Sequence, residues 1–295
     1  MRAPFELLEP TGPETPVIVE VPHAGLDLPA RFLEPLTAPA RALGRDADLH
    51  VDALYEDAPA EGASLIVART SRYVIDLNRA EGDVDGEAVE GGRSDVRMQH
   101  GLVWRTTSDG EAALARRLRP EELEERLELV WRPYHSLLAS VIARKRARFG
   151  VAVVLAAHSM PSFDRTGGPG TRATVRGGLA SHTEDSSRRQ GEARPRADVV
   201  PGTRGRRSAD ARFIDVVEEH AASRGWSVRH DDPYAGGFTT QHYGHPAGGV
   251  HVVQVELARR LYLDETALRP SGNFASTRAW CRELVARLGN VALIA

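Results

Sequence analysis

Residues 151–157 (VAVVLAA) decide the expected fold of this 295-residue chain. The run is continuous and apolar, follows Gly150 and ends directly at His158. A short apolar run bounded by a turn residue is typical of a strand that is buried on both faces of a parallel sheet. The run therefore predicts a central strand of an α/β protein, with a histidine at its carboxyl end.

Strand-like and helix-like segments alternate on both sides of this run. Such alternation predicts an α/β fold in which helices cover both faces of the sheet. The other predicted strands are residues 16–21, 64–68, 73–77 and 251–257, and the predicted helices are residues 47–60, 111–148 with breaks at Pro120 and near Pro133, 208–224 and 277–288.

One region departs from the alternation. Residues 164–201 are rich in Gly, Arg, Ser and Pro and have almost no apolar periodicity. A connection of this length is usually a functional lid or a disordered insertion, and this composition favours partial disorder. We therefore expect a single domain over residues 1–295 with a flexible insertion at 164–201.

The composition is that of an ordinary globular protein, with 41% hydrophobic residues, 27% charged residues and a net charge of -3. Of the 38 lysine and arginine residues, only Lys145 is a lysine. Because both signs of charge are mixed along the chain, we expect no nucleic-acid partner. Cys281, the only cysteine, allows neither an internal disulfide nor a multi-cysteine zinc site, and we expect it to be buried. With neither a signal sequence nor a long apolar window, the sequence predicts a cytoplasmic protein without membrane contact.

Two histidines at the ends of predicted strands are candidate metal ligands, namely His23 and His158. Ligands in α/β proteins bind beyond the carboxyl ends of the strands, and a catalytic zinc needs about three protein ligands. The third candidate is a carboxylate, Asp46 or Asp48, although either could instead cap a helix. Either histidine could also be a hydrogen-bonded core residue. Structural roles are expected for the histidines in helical or loop contexts: His50, His135, His182, His220 and His230.

Asn78 and Arg79 are candidate ligands of a carboxylate. They follow the predicted strand at 73–77. An arginine fork grips a carboxylate through two hydrogen bonds, and a neighbouring asparagine amide adds a neutral donor. Arg72 belongs to the same neighbourhood and could polarise a carbonyl group. The alternative for each arginine is a surface ion pair.

Glu256 is a candidate general base because it lies within the apolar strand predicted at 251–257. Burial raises the pKa of a carboxyl group towards neutrality, which suits a base that takes a proton from water. The alternative is a carboxylate satisfied by an arginine. The loop at 236–244 offers two further polar side chains, His242 and Tyr243, to a small-molecule substrate, although an ordinary surface loop explains it equally well.

Taken together, these motifs resemble the N-formylglutamate amidohydrolase (N-formylglutamate deformylase) family, which is itself similar to zinc carboxypeptidases and aspartoacylases. The matching stretches follow the family order from about residue 16 to residue 265. They are residues 22–25 (PHAG), 46–51 (DADLHV) with Leu54 and Tyr55, 71–79 (SRYVIDLNR), 131–135 (WRPYH), 157–159 (AHS), 236–237 (GG), 242–244 (HYG) and 252–257 (VVQVEL).

The resemblance implies a three-layer α/β/α sandwich with a mixed, mostly parallel sheet, like that of zinc carboxypeptidases and aminoacylases. It also implies one Zn²⁺ per chain, with another divalent metal as the alternative. The implied metal ligands are His23, Asp48 and His158, with Asp46 as the alternative to Asp48. The spacing from Asp48 to Leu54 in the family pattern favours Asp48.

The resemblance further implies hydrolysis of N-formyl-L-glutamate to formate and L-glutamate in histidine degradation. In that reaction Asn78 and Arg79 would bind a substrate carboxylate, and Arg72 would assist the scissile carbonyl. Glu256 would be the catalytic base. The implied substrate contacts are completed by His242, with Tyr243 beside it.

Two positions depart from the family pattern. Leu26 stands where the related zinc enzymes have the glutamate of a His-x-x-Glu pair, so a downstream aspartate would replace it. Ala156 stands where many members have an aspartate. The second departure leaves two alternatives open: a related hydrolase for another N-acyl amino acid or short peptide, and a non-catalytic binder of an acidic amino acid.

Overall fold

A six-stranded mixed sheet forms the centre of the computed structural model, which describes residues 3–92, 98–164 and 194–293. The strand order is β1-β3-β2-β4-β6-β5. The four inner strands are mutually parallel, and the two edge strands are antiparallel to their neighbours. The strands are β1 (Phe5–Leu8), β2 (Val17–Val21), β3 (Ser64–Ala68), β4 (Ala152–Met160), β5 (Val199–Gly202) and β6 (Val250–Ala258).

Helices pack on both faces of this sheet. Side chains of β2 alternate between two apolar clusters: Val17 and Val19 face one, and Ile18 faces the other. The first cluster includes residues of α2 (Val51–Leu54), α5 (Ala211–Ala222) and α7 (Phe274–Leu293), and the second includes residues of α4 (Arg132–Phe149). The remaining helices are α1 (Ala40–Asp46), α3 (Pro120–Arg126) and α6 (Phe238–Tyr243).

The register of the three central strands sets up the site. Glu20 on β2 lies opposite Ala156 on β4, which lies opposite Gln254 on β6. Further along, His158 lies opposite Glu256. Because every second side chain of a strand points to the same face, these five residues line one face of the sheet.

Most of the predicted inner elements are present, but the strand predicted at 73–77 is wrong. That segment forms turns, and the Asp76 amide donates to the Leu102 carbonyl at 2.8 Å. The side chains of Val74, Ile75 and Leu77 join the cluster under α4. An apolar run alone therefore did not distinguish a strand from a buried turn.

Two helix predictions also need correction. Within 47–60, the only α-helix is α2, Val51–Leu54. Residues 111–119 form isolated bridges to other loops in place of a helix, for example Leu36 with Leu114. The expected break near Pro133 is absent, because a π-helical segment, Leu127–Trp131, leads directly into α4 and leaves the proline in its first turn.

The insertion predicted at 164–201 lies mostly outside the described residues, which resume at 194. Its last part is an element of the sheet: Val199–Gly202 forms the edge strand β5 and pairs with β6. No helix within the described ranges has the length and apolarity needed to cross a membrane.

Two residues singled out by composition are buried. Lys145, the only lysine, lies on α4, and its ammonium group donates to the Thr15 carbonyl at 2.7 Å. It also pairs with Glu14 at 3.0 Å. Cys281 is buried on α7, where burial raises the pKa of its thiol to about 12. Both side chains therefore belong to the protein interior, as expected for residues with a structural role.

Candidate metal centre and active site

Three buried side chains converge at the carboxyl edge of the central strands. His23 follows β2, Asp48 lies between α1 and α2, and His158 belongs to β4. One ligand atom from each lies within 4.8 Å of the others. Two imidazoles and one carboxylate are a donor set that suits a divalent cation such as Zn²⁺. The residues present therefore fit a metal site.

Asp48 joins the two histidines. Its Oδ2 atom lies 2.9 Å from Nδ1 of His158 and 3.4 Å from Nδ1 of His23. Its Oδ1 atom accepts a hydrogen bond from the Ser159 hydroxyl at 3.2 Å. Burial would raise the pKa of Asp48, but hydrogen bonds and charge from the two histidines hold it well below its usual range. Asp48 is thus an ionised carboxylate, the form that binds metals.

The hydrogen bond between His158 and Asp48 also changes the pKa of the histidine. Burial would lower its pKa, but the hydrogen bond to Asp48 and the nearby carboxylates raise it. The centre therefore concentrates negative charge around two imidazoles. A cation would be favoured there for the same electrostatic reason.

Asp46, the alternative ligand, lies outside this group. Its carboxylate accepts hydrogen bonds from the hydroxyls of Tyr73 and Ser108, and from the Ser108 amide at 3.0 Å. Although burial opposes it, these hydrogen bonds lower the pKa of Asp46. The oxygens of the Asp46 carboxylate are thus hydrogen-bonded to Tyr73 and Ser108.

Asp76 orients His23 from the opposite side. Its Oδ1 atom accepts from Nε2 of His23 at 2.8 Å, which turns Nδ1 towards Asp48. Its Oδ2 atom accepts from Arg72 at 2.7 Å and from the Trp104 indole at 3.0 Å. Burial would raise the pKa of Asp76, but the charges of Arg72 and His23 hold it well below its usual range. A carboxylate behind a ligating histidine fixes the ring and increases its basicity.

Arg72 is consequently bound to protein groups. Besides Asp76, it donates to the Asp46 carbonyl at 3.2 Å and stacks on the Trp104 ring, 4.3 Å from its centroid. Its ion pair with Asp76 is largely buried, and thus differs from the surface ion pair considered as the alternative for this arginine.

Asn78 lies between His158 and β6. Its Nδ2 atom is 3.3 Å from Nε2 of His158 and donates to Oε1 of Gln254 at 3.2 Å, and its Oδ1 atom accepts from the Thr239 amide at 3.0 Å. A Cβ atom at position 237 would lie 2.4 Å from Asn78 Nδ2, so only glycine fits at Gly237. The sequence at 236–237 therefore lets the start of α6 approach the asparagine.

Arg79 differs from Arg72 in its surroundings. Within the described part of the chain, its guanidinium group has no hydrogen-bond or ion-pair partner. Its charge contributes to the lowered pKa of Asp76, which places it in the same electrostatic neighbourhood. It is therefore available to an anionic ligand.

Glu256 lies beside His158 on the neighbouring strand and is 6% exposed. Its Oε1 atom accepts from Nε2 of Gln254 at 2.9 Å. Among the described residues, no arginine donates a hydrogen bond to it. Burial raises the pKa of Glu256, with the nearby histidines opposing that shift. A carboxyl group with a raised pKa next to a metal-ligand set suits proton transfer.

His242 and Tyr243 lie on α6, at the edge of the site. His242 is exposed and stacks on Phe238, with ring centroids 4.8 Å apart. The Tyr243 hydroxyl is 3.0 Å from Nδ1 of His135. In the described ranges, no hydrogen bond joins either side chain to the His23, Asp48 and His158 group.

Several residues of the site escaped sequence reasoning. Asp76 lies within the motif at 71–79, and a carboxylate in an apolar run could have marked it as a candidate site residue. Gln254 had the same signal on β6. Arg259, which donates to the Ala47 carbonyl at 2.6 Å and lies 3.8 Å from Asp48, had no local signal.

Comparisons with known proteins give a consistent result. A family model described as N-formylglutamate amidohydrolase matches residues 15–263. A protein called N-formylglutamate deformylase from Pseudomonas putida is 33% identical over 85% of this chain and 83% of its own length. The protein of the same description from Pseudomonas aeruginosa is 33% identical over 92% of both chains.

Solved structures extend the likeness to three dimensions. The crystal structure of N-formylglutamate amidohydrolase from Ralstonia eutropha JMP134 superposes with a TM-score of 0.83 at 29% identity and covers 99% of both chains. A gene product from Agrobacterium tumefaciens, at 17% identity, shares the fold with a TM-score of 0.63, covering 98% of this chain and 96% of its own.

The stretch matched by the family model contains the whole site, from His23 after β2 to Glu256 on β6. The relatives match over most of their own length, so the likeness is not confined to one motif. The chain belongs to the N-formylglutamate amidohydrolase family.

Proposed function

We propose that this protein hydrolyses N-formyl-L-glutamate to formate and L-glutamate. The observation that carries the proposal is the buried group of His23, Asp48 and His158 with Glu256 on the adjacent strand. The relatives called N-formylglutamate deformylase support the choice of substrate. We also propose that the chain acts as one catalytic domain, since the residues of the site come from one sheet and its loops.

Zn²⁺ is the proposed cofactor, held by His23, Asp48 and His158. Such an ion supplies a Lewis acid that polarises a carbonyl group and makes water a stronger acid. Asp76 keeps His23 in the tautomer with Nδ1 free, and Ser159 holds the Asp48 carboxylate. These contacts support a preformed ligand set.

Glu256 is the proposed general base. It takes a proton from the water that attacks the formyl carbon, and after the C–N bond breaks it returns that proton to the departing amine. Burial raises the pKa of Glu256, and a raised pKa favours a carboxyl group that first accepts a proton and later returns it. The hydrogen bond from Gln254 holds one carboxyl oxygen and leaves the other for the proton.

Asn78 and Arg79 are the proposed ligands of a substrate carboxylate. The Arg79 guanidinium has no partner within the described residues, and Asn78 is fixed by Thr239 and Gln254. The exposed His242 is proposed to contact the second carboxylate, with Tyr243 beside it. For Arg72, the ion pair with Asp76 supports a positioning role, and its contact with the scissile carbonyl stays a prediction.

Histidine degradation is the proposed setting of this reaction, because it is the source of the substrate that the family resemblance implies. The cytoplasmic location expected from the sequence stays a prediction.

Replacing Glu256 with glutamine tests the proposal. We expect Glu256→Gln to lower kcat for N-formyl-L-glutamate by about 10²- to 10⁴-fold, because the amide cannot accept the proton. Metal content, measured on the same preparation, should equal that of the wild type. Glu283→Gln, at a half-exposed position on α7, is the matched control and should retain full activity.

The choice of substrate needs a second measurement. The kcat/KM values for N-formyl-L-glutamate, N-formyl-L-aspartate and N-acetyl-L-aspartate should rank in that order. A higher value for either other compound would assign the chain a different N-acyl amino acid. Tight L-glutamate binding without turnover of any of the three would make it a binder and overturn the proposal.

A further inference from the structure

Glu20 is a buried carboxyl group to which the proposed reaction assigns no role. It lies on β2, three positions before His23, and is 0% exposed. Its Oε1 atom accepts hydrogen bonds from the Tyr134 hydroxyl at 3.1 Å and the Thr239 hydroxyl at 3.2 Å. Burying a carboxyl group costs free energy unless hydrogen bonds compensate, so its partners should indicate its role.

Thr239 connects this carboxyl group to the site. The residue is 0% exposed in the first turn of α6. Its hydroxyl donates to Glu20, while its amide donates to Oδ1 of Asn78 at 3.0 Å. Since the amide and the hydroxyl belong to one residue, a shift of the hydroxyl would shift the donor that orients Asn78.

Asn78 carries the link onward in two directions. Its Nδ2 atom lies 3.3 Å from Nε2 of His158 and 3.2 Å from Oε1 of Gln254, whose own Nε2 donates to Glu256. The path from Glu20 thus ends at a proposed metal ligand and at the proposed base. Each step is a hydrogen bond between side chains or backbone groups that are buried.

Ala156 provides the room for this arrangement. It lies directly opposite Glu20 on β4 and on the same face of the sheet. A methyl group there leaves space for the glutamate side chain, whose Oε2 atom is buried with no hydrogen-bond partner among the described residues. Ala156 is therefore the cross-strand neighbour of the buried carboxyl group.

We propose that Glu20 is a positioning residue, which fixes the first turn of α6 through Thr239 and so orients the Asn78 amide for substrate carboxylate and for His158. Its Oε1 atom, which has more than one lone pair, accepts both hydroxyls. Burial raises the pKa of Glu20, while the hydrogen bonds from Thr239 and Tyr134 oppose that shift. The proposal rests on the proposed function for its kinetic consequence only.

Four single variants and one double variant test this role. Glu20→Ala and Thr239→Val should each raise KM for N-formyl-L-glutamate about tenfold, the size expected for one lost hydrogen bond, with a smaller change in kcat. The double variant should be no worse than either single variant, because both break the same path. Glu20→Gln keeps the carbonyl acceptor and should restore KM to within about threefold of the wild type.

Tyr134→Phe is the matched control. It removes the other hydroxyl bound to the same Glu20 oxygen but leaves α6 attached. We expect its KM to stay within about twofold of the wild type. Equal effects of Tyr134→Phe and Thr239→Val would reduce Glu20 to a packing role, and a Glu20→Gln variant as impaired as Glu20→Ala would show that the acceptor is not what matters. Either result overturns the proposal.

Hydrogen–deuterium exchange separates this proposal from the proposed function. Amides of α6 (Phe238–Tyr243) should exchange faster in Glu20→Ala and Thr239→Val than in the wild type or Tyr134→Phe. If the wild type fails to hydrolyse N-formyl-L-glutamate, the proposed function is wrong, and exchange still tests the link. Unchanged exchange in both variants would refute the link whatever the activity.

Discussion

Asp46 and Asp48 are two residues apart, yet they have different partners. Asp48 is hydrogen-bonded to His158 and close to His23, whereas Asp46 is bound by Tyr73 and Ser108. Asp46 is the last residue of α1, whereas Asp48 lies beyond the helix. The two side chains therefore contact different parts of the protein. Only one of the two carboxylates therefore has the two histidines as partners.

Removing each charge in turn should distinguish the two aspartates. We expect Asp48→Asn to lose most of its Zn²⁺ after dialysis, because the amide is a poor substitute for an ionised ligand. Asp46→Asn should retain about one Zn²⁺ per chain. The measurement is elemental analysis of each purified variant against its folded concentration.

The converse pattern, with metal lost from Asp46→Asn alone, would reassign the ligand. Circular dichroism should accompany the measurement, since Asp46→Asn weakens hydrogen bonds to Tyr73 and Ser108 and is expected to cost about 1 to 3 kcal/mol in stability.

Sequence reasoning at this scale identified both aspartates but could not choose between them from the residues alone. The partners of Asp46 are 27 and 62 positions away, and His158 is 110 positions from Asp48. Two candidates that share one local context are separated only by such distant contacts. The same reason hid Arg259, which reaches the Ala47 carbonyl across 212 positions.

Helices α4 and α6 meet at His135. Its Nδ1 atom lies 3.0 Å from the Tyr243 hydroxyl, and its Nε2 atom lies 3.0 Å from the Leu77 carbonyl. Burial lowers the pKa of His135 to about 4, with the nearby His242 adding to the shift. The contact between the two helices therefore depends on a neutral imidazole.

The stability of the protein should consequently fall in mild acid. The folded pKa of His135 is below the unfolded value, so the unfolded chain binds more protons between them. The contribution is fully present above about pH 6.5 and is lost as pH falls towards 4. From pH 7 to pH 4, the wild type should lose roughly 3 kcal/mol more than His135→Gln.

Urea unfolding at several pH values measures this difference. Other titrating groups are common to both proteins and cancel in the comparison. Parallel pH profiles for the wild type and His135→Gln would contradict the expected contribution. The glutamine can still donate to Leu77 and accept from Tyr243, so packing is largely retained.

The strands predicted correctly from the sequence lie inside the sheet, and the strands that were missed lie at its edges. The inner strands β2, β4 and β6 are buried on both faces, and their sequences are rich in apolar, β-branched residues, continuously so only at the start of β4. The edge strands β1 and β5 are short, and β5 contains Pro201 and Gly202, which weaken any strand signal. Their pairing with the sheet comes from tertiary contacts that no local pattern reveals.

At the scale of the whole molecule, the candidate metal centre joins distant parts of the chain. His23 follows β2, Asp48 lies on the segment between α1 and α2, and His158 lies on β4. A bound ion would therefore cross-link the middle of the sheet to a loop that packs above it. Such an ion stabilises the folded state only, because the unfolded chain does not gather the ligands.

Metal removal should lower the thermal stability. At free Zn²⁺ about 1,000-fold above its dissociation constant, the folded state gains about 4 kcal/mol, which corresponds to a Tm about 10 °C higher than in chelator. Differential scanning calorimetry with and without EDTA measures the shift.

Asp48→Asn is the control for that experiment and should show little dependence of Tm on Zn²⁺. An equal shift in this variant would place the stabilising ion elsewhere. No shift in the wild type would argue against a structural contribution of metal at this centre.

The burial of Lys145 has a practical consequence for the whole surface. Because the chain has no other lysine, the positive charges that its side chains present to solvent are guanidinium groups and protonated imidazoles. Guanidinium keeps its proton beyond about pH 12, so this surface should retain its cationic groups in alkali where lysine-rich surfaces discharge. Among the side chains, amine-directed crosslinkers and dyes should meet only a shielded ε-amino group, and attachment to a support is better directed at carboxylates.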